Sequence, residues 1–330
     1  MVSLFRNNQV TTAVPLAIYV LLTHFAALLG TVSNLTLQTG QEGLLYTQIF
    51  GWFSTHAFFS ALAATVLVFI QALLVNNLAD EFRLLGDRNW LPGLFFALMA
   101  ASIPDFLFLS APLVAATFLP IALRRIFRVY KTPSATALIF DSAFWMTVGA
   151  LFYPPAIWML VAAYVGILVM RSFNIREQIV FSSGVIIPVF LCWLGFFWYD
   201  LGRSFFDLQF GKVFGLYRFH RAYSLLAWLE IGFLIFIFVL ILLSFNSYFS
   251  RKLIQTQKCI STLYWFLIIA VLTVFLQAEL PNQHFFLAIP AAGMFLSLTI
   301  ASIKRRAIAE VFHLLLLGFV VFVQFFPGVG

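Results

Sequence analysis

Residues 90–123 read WLPGLFFALMAASIPDFLFLSAPLVAATFLPIAL, and the fold turns on whether they make one long membrane helix or two short ones. Pro104 and Asp105 stand in the middle, and Pro112 follows soon after. Proline disrupts a helix interior, and a carboxylate held in lipid is costly. The stretch therefore reads as a hairpin of two spans, 90–104 and 110–123, with Asp105 at its tip.

Outward from this hairpin the same criterion, about 20 apolar residues per bilayer crossing, marks the rest. Spans are expected at 13–33, 51–75, 135–152, 155–170, 178–199, 225–248, 260–277, 284–303 and 308–325, eleven in all with the hairpin. Basic residues test the count, because Lys and Arg collect on the cytoplasmic side. With eleven spans and a cytoplasmic N-terminus, one set of loops holds Arg6, Arg83, Arg88, Arg124, Arg125, Arg128, Lys131, Arg171, Arg176, Arg251, Lys252, Lys258, Lys304, Arg305 and Arg306. That is 15 of the 19 Lys and Arg; only Arg203, Lys212, Arg218 and Arg221 fall opposite. A single span over 90–123 would flip every later loop and leave 7 against 12. The hairpin wins, with the N-terminus cytoplasmic and the C-terminus external.

Composition agrees. Hydrophobic residues make up 63% of the 330 positions and charged residues only 9%, where a soluble chain carries about 25% charged. A soluble enzyme, a disordered chain, a coiled coil and a nucleic-acid-binding domain are excluded. The net charge of +7 follows from topology and gives no nucleic-acid partner. Cys192 lies in an apolar run and Cys259 beside Lys258, which makes neither a metal nor a redox spacing. No cleavable signal follows Arg6, since the next segment is long enough to span. The expected fold is thus all-α: a polytopic helical protein of the cell inner membrane, one multi-pass transmembrane domain over 1–330. It divides into seven spans over 1–199, an external segment 200–224 and four further spans over 225–330.

The external segment, DLGRSFFDLQFGKVFGLYRFHRAYS, holds every external cation, with Phe and Tyr between them. It resembles a helix lying at the headgroup level. One reading is an aromatic belt with snorkelling cations. The other is a substrate site in which Lys212, Arg218, His220 and Arg221 bind a phosphate or diphosphate through charge-assisted hydrogen bonds. Glu42, soon after span 1, and Asp105 are external acids. They are either solvated loop acids or residues facing one external cavity as base or divalent-cation ligand. Asp141 and Glu310, near cytoplasmic span ends, are expected to pair with Lys131 and Arg306. His24, His56 and His313 read as lone packing partners. No zinc-peptidase, lipase, Walker or Rossmann pattern occurs, and neither matching broken helices nor a polar-lined pore points to a transporter or channel.

Three stretches together resemble the C-type (GT-C) membrane glycosyltransferases. LVNNLADEFRLLGDRNWLPGLFFALMAASIPDF (74–106), followed by LRRIFRVYK, is similar to their span 2–4 region. LIFDSAFWMTVGALFYPPAIWMLVAAYVGILVMR (138–171) looks like their following pair of spans, and LPNQHFFLAIPAAGMFLSLTIAS (280–302) like a late span entry. On this resemblance residues 1–199 are a GT-C-like module. A closer similarity, over roughly 45–200, is to an uncharacterised family of polytopic membrane proteins of Bacteroidota, through VFIQALLVNNL, IFDSAFWMTVGALFYPPAIWML and VMRSFNIREQIVFSSGVIIPVF.

The GT-C resemblance implies transfer of a sugar or similar group from a polyprenyl-phosphate donor at the external face. Its first-loop acid acts as base and a second external acid assists or binds metal; Glu42 and Asp105 are the matching positions. The first external loop here is short and offers Gln41-Glu42 in place of an acid pair. A non-catalytic GT-C-like scaffold subunit of a cell-envelope assembly, with membrane-protein partners, therefore stands as the second reading.

Overall fold

The deciding stretch folds as two helices with a broken turn between them. The computed structural model describes residues 2–6, 10–32, 41–172, 174–211, 225–250, 252–277 and 281–325. Its longer helices are labelled here α1 (Ala13–Thr23), α2 (Ala57–Glu81), α3 (Leu91–Ala100), α4 (Ala111–Arg128), α5 (Thr136–Phe152), α6 (Met159–Met170), α7 (Ile175–Phe197), α8 (Leu225–Leu243), α9 (Ile254–Leu272), α10 (Ile289–Ser302) and α11 (Arg306–Phe325). After α3, Ile103 is extended and Pro104–Leu107 forms a short 3-10 turn. Ser110 then caps α4, its hydroxyl accepting from the Leu113 N–H. Pro104 and Pro112 both stand at helix starts, where a missing N–H costs nothing.

Among the described residues the chain is helical throughout, with no strand. Six segments among the described residues are long and apolar enough to cross a membrane: Ala57–Glu81, Ile175–Phe197, Leu225–Leu243, Ile254–Leu276, Asn282–Ser302 and Arg306–Phe325. Helix α3 is different. Its ten residues rise about 15 Å, half a bilayer core, and every one is buried. A helix apolar all round belongs inside a larger bundle. There α3 lies against α10 so closely that a Cβ on Gly293 would meet the Phe96 backbone nitrogen at 2.9 Å.

The periphery reverses the order of a soluble protein. Only 17% of the apolar window of α7 is buried, against 72% for Asn282–Ser302. The exposed side chains of α7 and α8 include Ile179, Ile186, Phe190, Trp228, Phe236 and Leu243. An apolar skin of this extent suits lipid as solvent.

Charge collects at one end of the bundle. Glu81, at the end of α2, takes Arg124 at 2.5 Å and Arg128 at 2.6 Å from the last turns of α4. Arg171 pairs with Glu177 at 3.2 Å. The Lys252 and Lys258 ammoniums donate to the Leu84 and Met170 carbonyls. Two expected pairings are replaced. Asp141 pairs with Arg125 at 3.4 Å, because Arg125 projects from α4 directly onto the first turns of α5, whereas the Lys131 ammonium lies over the Tyr130 ring. Glu310 accepts from the Ser3 N–H at 3.0 Å, which ties the N-terminal residues to α11.

Candidate functional site

At the opposite end of the bundle the first-loop segment lies flat on the end of α5. The Gly43 N–H donates to the Phe152 carbonyl at 2.9 Å. The Leu44 N–H donates to Gln209 Oε1 at 2.8 Å, and Gln209 Nε2 donates to the Leu151 carbonyl at 3.0 Å. Gly43 is required here, since any Cβ would run into the carbonyl oxygens of Leu151 and Phe152. Glu42, half-buried, is thereby fixed beside the end of α5. Tyr46 follows in the helix Leu44–Phe50, buried, with its hydroxyl donating to the Leu109 carbonyl at 3.0 Å. Burial, and then the nearby Glu42 carboxylate, raise the Tyr46 phenol above its ordinary range.

The Tyr46 bond links the segments that carry the two predicted acids. Leu109 closes the hairpin turn that carries Asp105, and its N–H donates to Ser60 Oγ of α2 at 3.0 Å. Asp105 accepts from Asn282 Nδ2 at 3.0 Å. Phe106 meets Phe286 edge-on at 5.1 Å, holding the hairpin tip against the 3-10 turn Asn282–Ala288. Glu42 and Asp105 thus share one end of the bundle.

Behind them runs a buried polar cluster centred on His284, which is fully buried. Its Nδ1 lies 2.9 Å from the Tyr153 hydroxyl and its Nε2 lies 2.8 Å from Thr273 Oγ1. Thr273 in turn donates to the Ala270 carbonyl. A neutral imidazole satisfies this chain, with Nε2–H donating to Thr273 and Tyr153 donating to Nδ1. Gln277 packs on both ring nitrogens, at 2.7 and 3.0 Å. The cluster joins the end of α5, on which Glu42 rests, to the turn whose Asn282 holds Asp105.

A third carboxylate was not singled out in the sequence. Glu230 is buried on α8. In the sequence it is one acid at the start of an apolar run. The run Pro281-Asn282-Gln283-His284 at the mouth of a span was the visible signal for the rest. Among the described residues no three His, Cys, Asp or Glu side chains converge as a metal site.

Lys212, Arg218, His220 and Arg221 lie outside the described residues. The segment before them begins as the short helix Phe205–Phe210. Phe205 is buried against Phe196 at 5.8 Å between ring centres, while Phe206 and Leu208 are exposed. Two apolar grooves reach the neighbourhood. One, of about 410 Å³, lies along α7 and is lined by Val185, Ile186, Val189, Phe190, Trp193 and Phe206. The other, of about 120 Å³, lies between α8, α9 and α10, with Phe285 at its wall.

No protein-family model matches the chain, and no curated protein matches it. Solved structures do. The crystal structure of ArnT from Cupriavidus metallidurans bound to undecaprenyl phosphate superposes with a TM-score of 0.53 at 13% identity, over 88% of this chain and 56% of that one. The apo structure of the same protein gives 0.54 at 14% identity, over 89% and 56%. The chain therefore spans little more than half the length of its structural neighbours. At these identities the likeness is one of fold alone: the chain folds as an ArnT-like multi-helix bundle.

Proposed function

We propose that the chain is a GT-C-like transferase of the cell inner membrane that moves a sugar or similar group from a polyprenyl-phosphate donor to an acceptor at the external face. The observation that carries this reading is that the segments bearing Glu42 and Asp105 lie at the same end of an ArnT-like bundle. They are joined there through Tyr46, Leu109 and the hairpin turn. In this reading the chain crosses the membrane eleven times, N-terminus inside, and the end bearing the two acids is external.

Glu42 takes the acceptor hydroxyl proton. Its segment is bonded to α5 on one side and through Tyr46 to the hairpin on the other, so the carboxylate is held rather than swinging on a loop. Asp105, oriented by Asn282, assists. Lys212, Arg218, His220 and Arg221 neutralise the leaving phosphate, the electrostatic task that weighs most in such transfers. The groove along α7 is the path offered to the isoprenoid chain. The described acids do not form a three-ligand set for a divalent cation, so no step is assigned to one.

Purified protein in lipid, given a polyprenyl-phosphate sugar, tests the reading. Glu42→Gln is expected to slow transfer by about 10²–10⁴-fold, the usual contribution of a general base. A wild-type protein that binds polyprenyl phosphate without turnover, and whose Glu42→Gln variant binds equally, would favour a scaffold subunit of an envelope assembly.

A further inference from the structure

Two lysine ammoniums converge on one ring at the basic end of the bundle. Tyr130 and Lys131 follow the last turn of α4, and Lys258 stands in the second turn of α9. The Lys131 Nζ lies 5.5 Å from the centre of the Tyr130 ring and the Lys258 Nζ 5.1 Å. The ring attracts each cation, while the two cations repel one another. Neighbouring elements hold the arrangement in place. Arg171, at the end of α6, donates to the Thr132 carbonyl at 3.1 Å, and Lys258 donates to the Met170 carbonyl at 3.1 Å. Lys131 has a φ of 58°, a left-handed backbone that favours glycine, yet this turn carries a long cationic side chain.

The carboxylates paired at this end are committed to arginines. Glu81 holds Arg124 and Arg128, Asp141 holds Arg125, and Glu177 holds Arg171. Among the described residues neither Lys131 nor Lys258 has a carboxylate at ion-pair distance. A ring face and a backbone carbonyl leave both charges in place, so the pair is complementary to an anion from outside the chain.

The helix surface that continues from Lys258 tells what the anion is attached to. Ile254, Lys258, Ser261, Trp265 and Leu272 fall on one stripe of α9, at helical spacing. Ile254, Trp265 and Leu272 are exposed, and Lys258 and Ser261 are half-buried. The helix belongs to the segment Ile254–Leu276, long and apolar enough to cross a membrane, so an exposed apolar stripe on it suits lipid. From Lys258 to Leu272 the stripe runs about 21 Å, more than half of a hydrocarbon core about 30 Å thick. A free phosphate uses the lysines and leaves the stripe bare, whereas a lipid uses both. A zwitterionic headgroup brings a third cation to a place that already holds two. We propose that Lys131 and Lys258 bind the phosphate of an anionic phospholipid through charge-assisted hydrogen bonds, with an acyl chain along this stripe of α9. The site lies at the opposite end of the bundle from Glu42 and Asp105 and is independent of any transfer reaction.

Native mass spectrometry of the full chain in detergent tests it, with dioleoyl phosphatidylglycerol titrated beside dioleoyl phosphatidylcholine and glycerol phosphate. Wild type should hold phosphatidylglycerol about tenfold more tightly than either comparator. Lys131→Gln and Lys258→Gln should each lose about fivefold, and the double variant about thirtyfold. Lys258→Arg, which keeps the charge, should retain binding. Lys304→Gln combined with Arg305→Gln removes two exposed cations from the connection between α10 and α11 at the same end, and should lose about twofold at most. A loss there equal to that of the lysine pair means a diffuse positive field in place of a site, and overturns the inference. Equal binding of phosphatidylcholine or glycerol phosphate overturns it too, as does wild-type affinity in the folded double variant. Lys131 is exposed, so Lys131→Gln carries the test by itself if Lys258→Gln, in uncapping Met170, fails to fold.

Discussion

Gly43 shows how one residue without a side chain sets the candidate site. The Gly43 N–H and the Gln209 carboxamide take the last two carbonyls of α5, those of Phe152 and Leu151, which a helix end otherwise leaves unsatisfied. Gly43→Ala pushes a methyl group into two of those carbonyls. The strain should cost about 1–3 kcal/mol, read as a lowered unfolding midpoint in detergent, while Glu42→Gln beside it leaves the midpoint unchanged. His284 makes the complementary case. Replacing it by Ala takes a hydrogen-bond partner from the Tyr153 hydroxyl and from Gln277, both fully buried, while Gln277 keeps the Thr273 carbonyl, at about 0.5–1.5 kcal/mol for each bond lost. The same midpoint measurement checks it, and Tyr153→Phe should cost less than His284→Ala because it leaves the imidazole its other partners. Glu42 and Asp105 were legible in the sequence because a charge stands out against apolar surroundings. Glu230 was not, and His284 showed only as one member of the polar run Pro281–His284, because their partners lie on other elements and no local pattern announces a contact made across the chain.

At the scale of the element, the hairpin is the feature the sequence foretold best. Proline chemistry and an intervening acid ended one helix and began another, and the cap completes the account. Ser110 has extended backbone and its hydroxyl accepts from Leu113. Ser110→Ala should cost about 1 kcal/mol, and hydrogen exchange should speed up at Leu113 and Val114 before it does elsewhere in α4. What the sequence did not convey is that α3 is sealed inside the bundle. A run of ten apolar residues reads alike whether its surroundings are lipid or protein. Only the close fit of Gly293 on Phe96 tells the two apart. The segment read as external was legible in part, since Phe205–Phe210 is a short helix with two buried side chains, Phe205 and Gln209, and three exposed ones.

At the scale of the whole molecule, the segregation of charge along the bundle bears most directly on function. The Glu81–Arg124–Arg128 and Asp141–Arg125 pairs, Arg171 with Glu177, and the Lys252 and Lys258 caps lie at one end. Glu42, Asp105 and Asp207 stand at the other. If the basic end is cytoplasmic, every acid proposed for chemistry faces the external leaflet, where a lipid-linked donor would be met. The orientation is open to direct measurement. Lys131 and Asp207 are both exposed, so Lys131→Cys and Asp207→Cys can be placed singly in a background lacking Cys192 and Cys259. A membrane-impermeant maleimide added to sealed cells should label position 207 and spare 131, and inverted vesicles should reverse the result. Labelling of both from one side would break the eleven-span topology and place Glu42 away from any external donor, so the transfer reaction would lose its geometry.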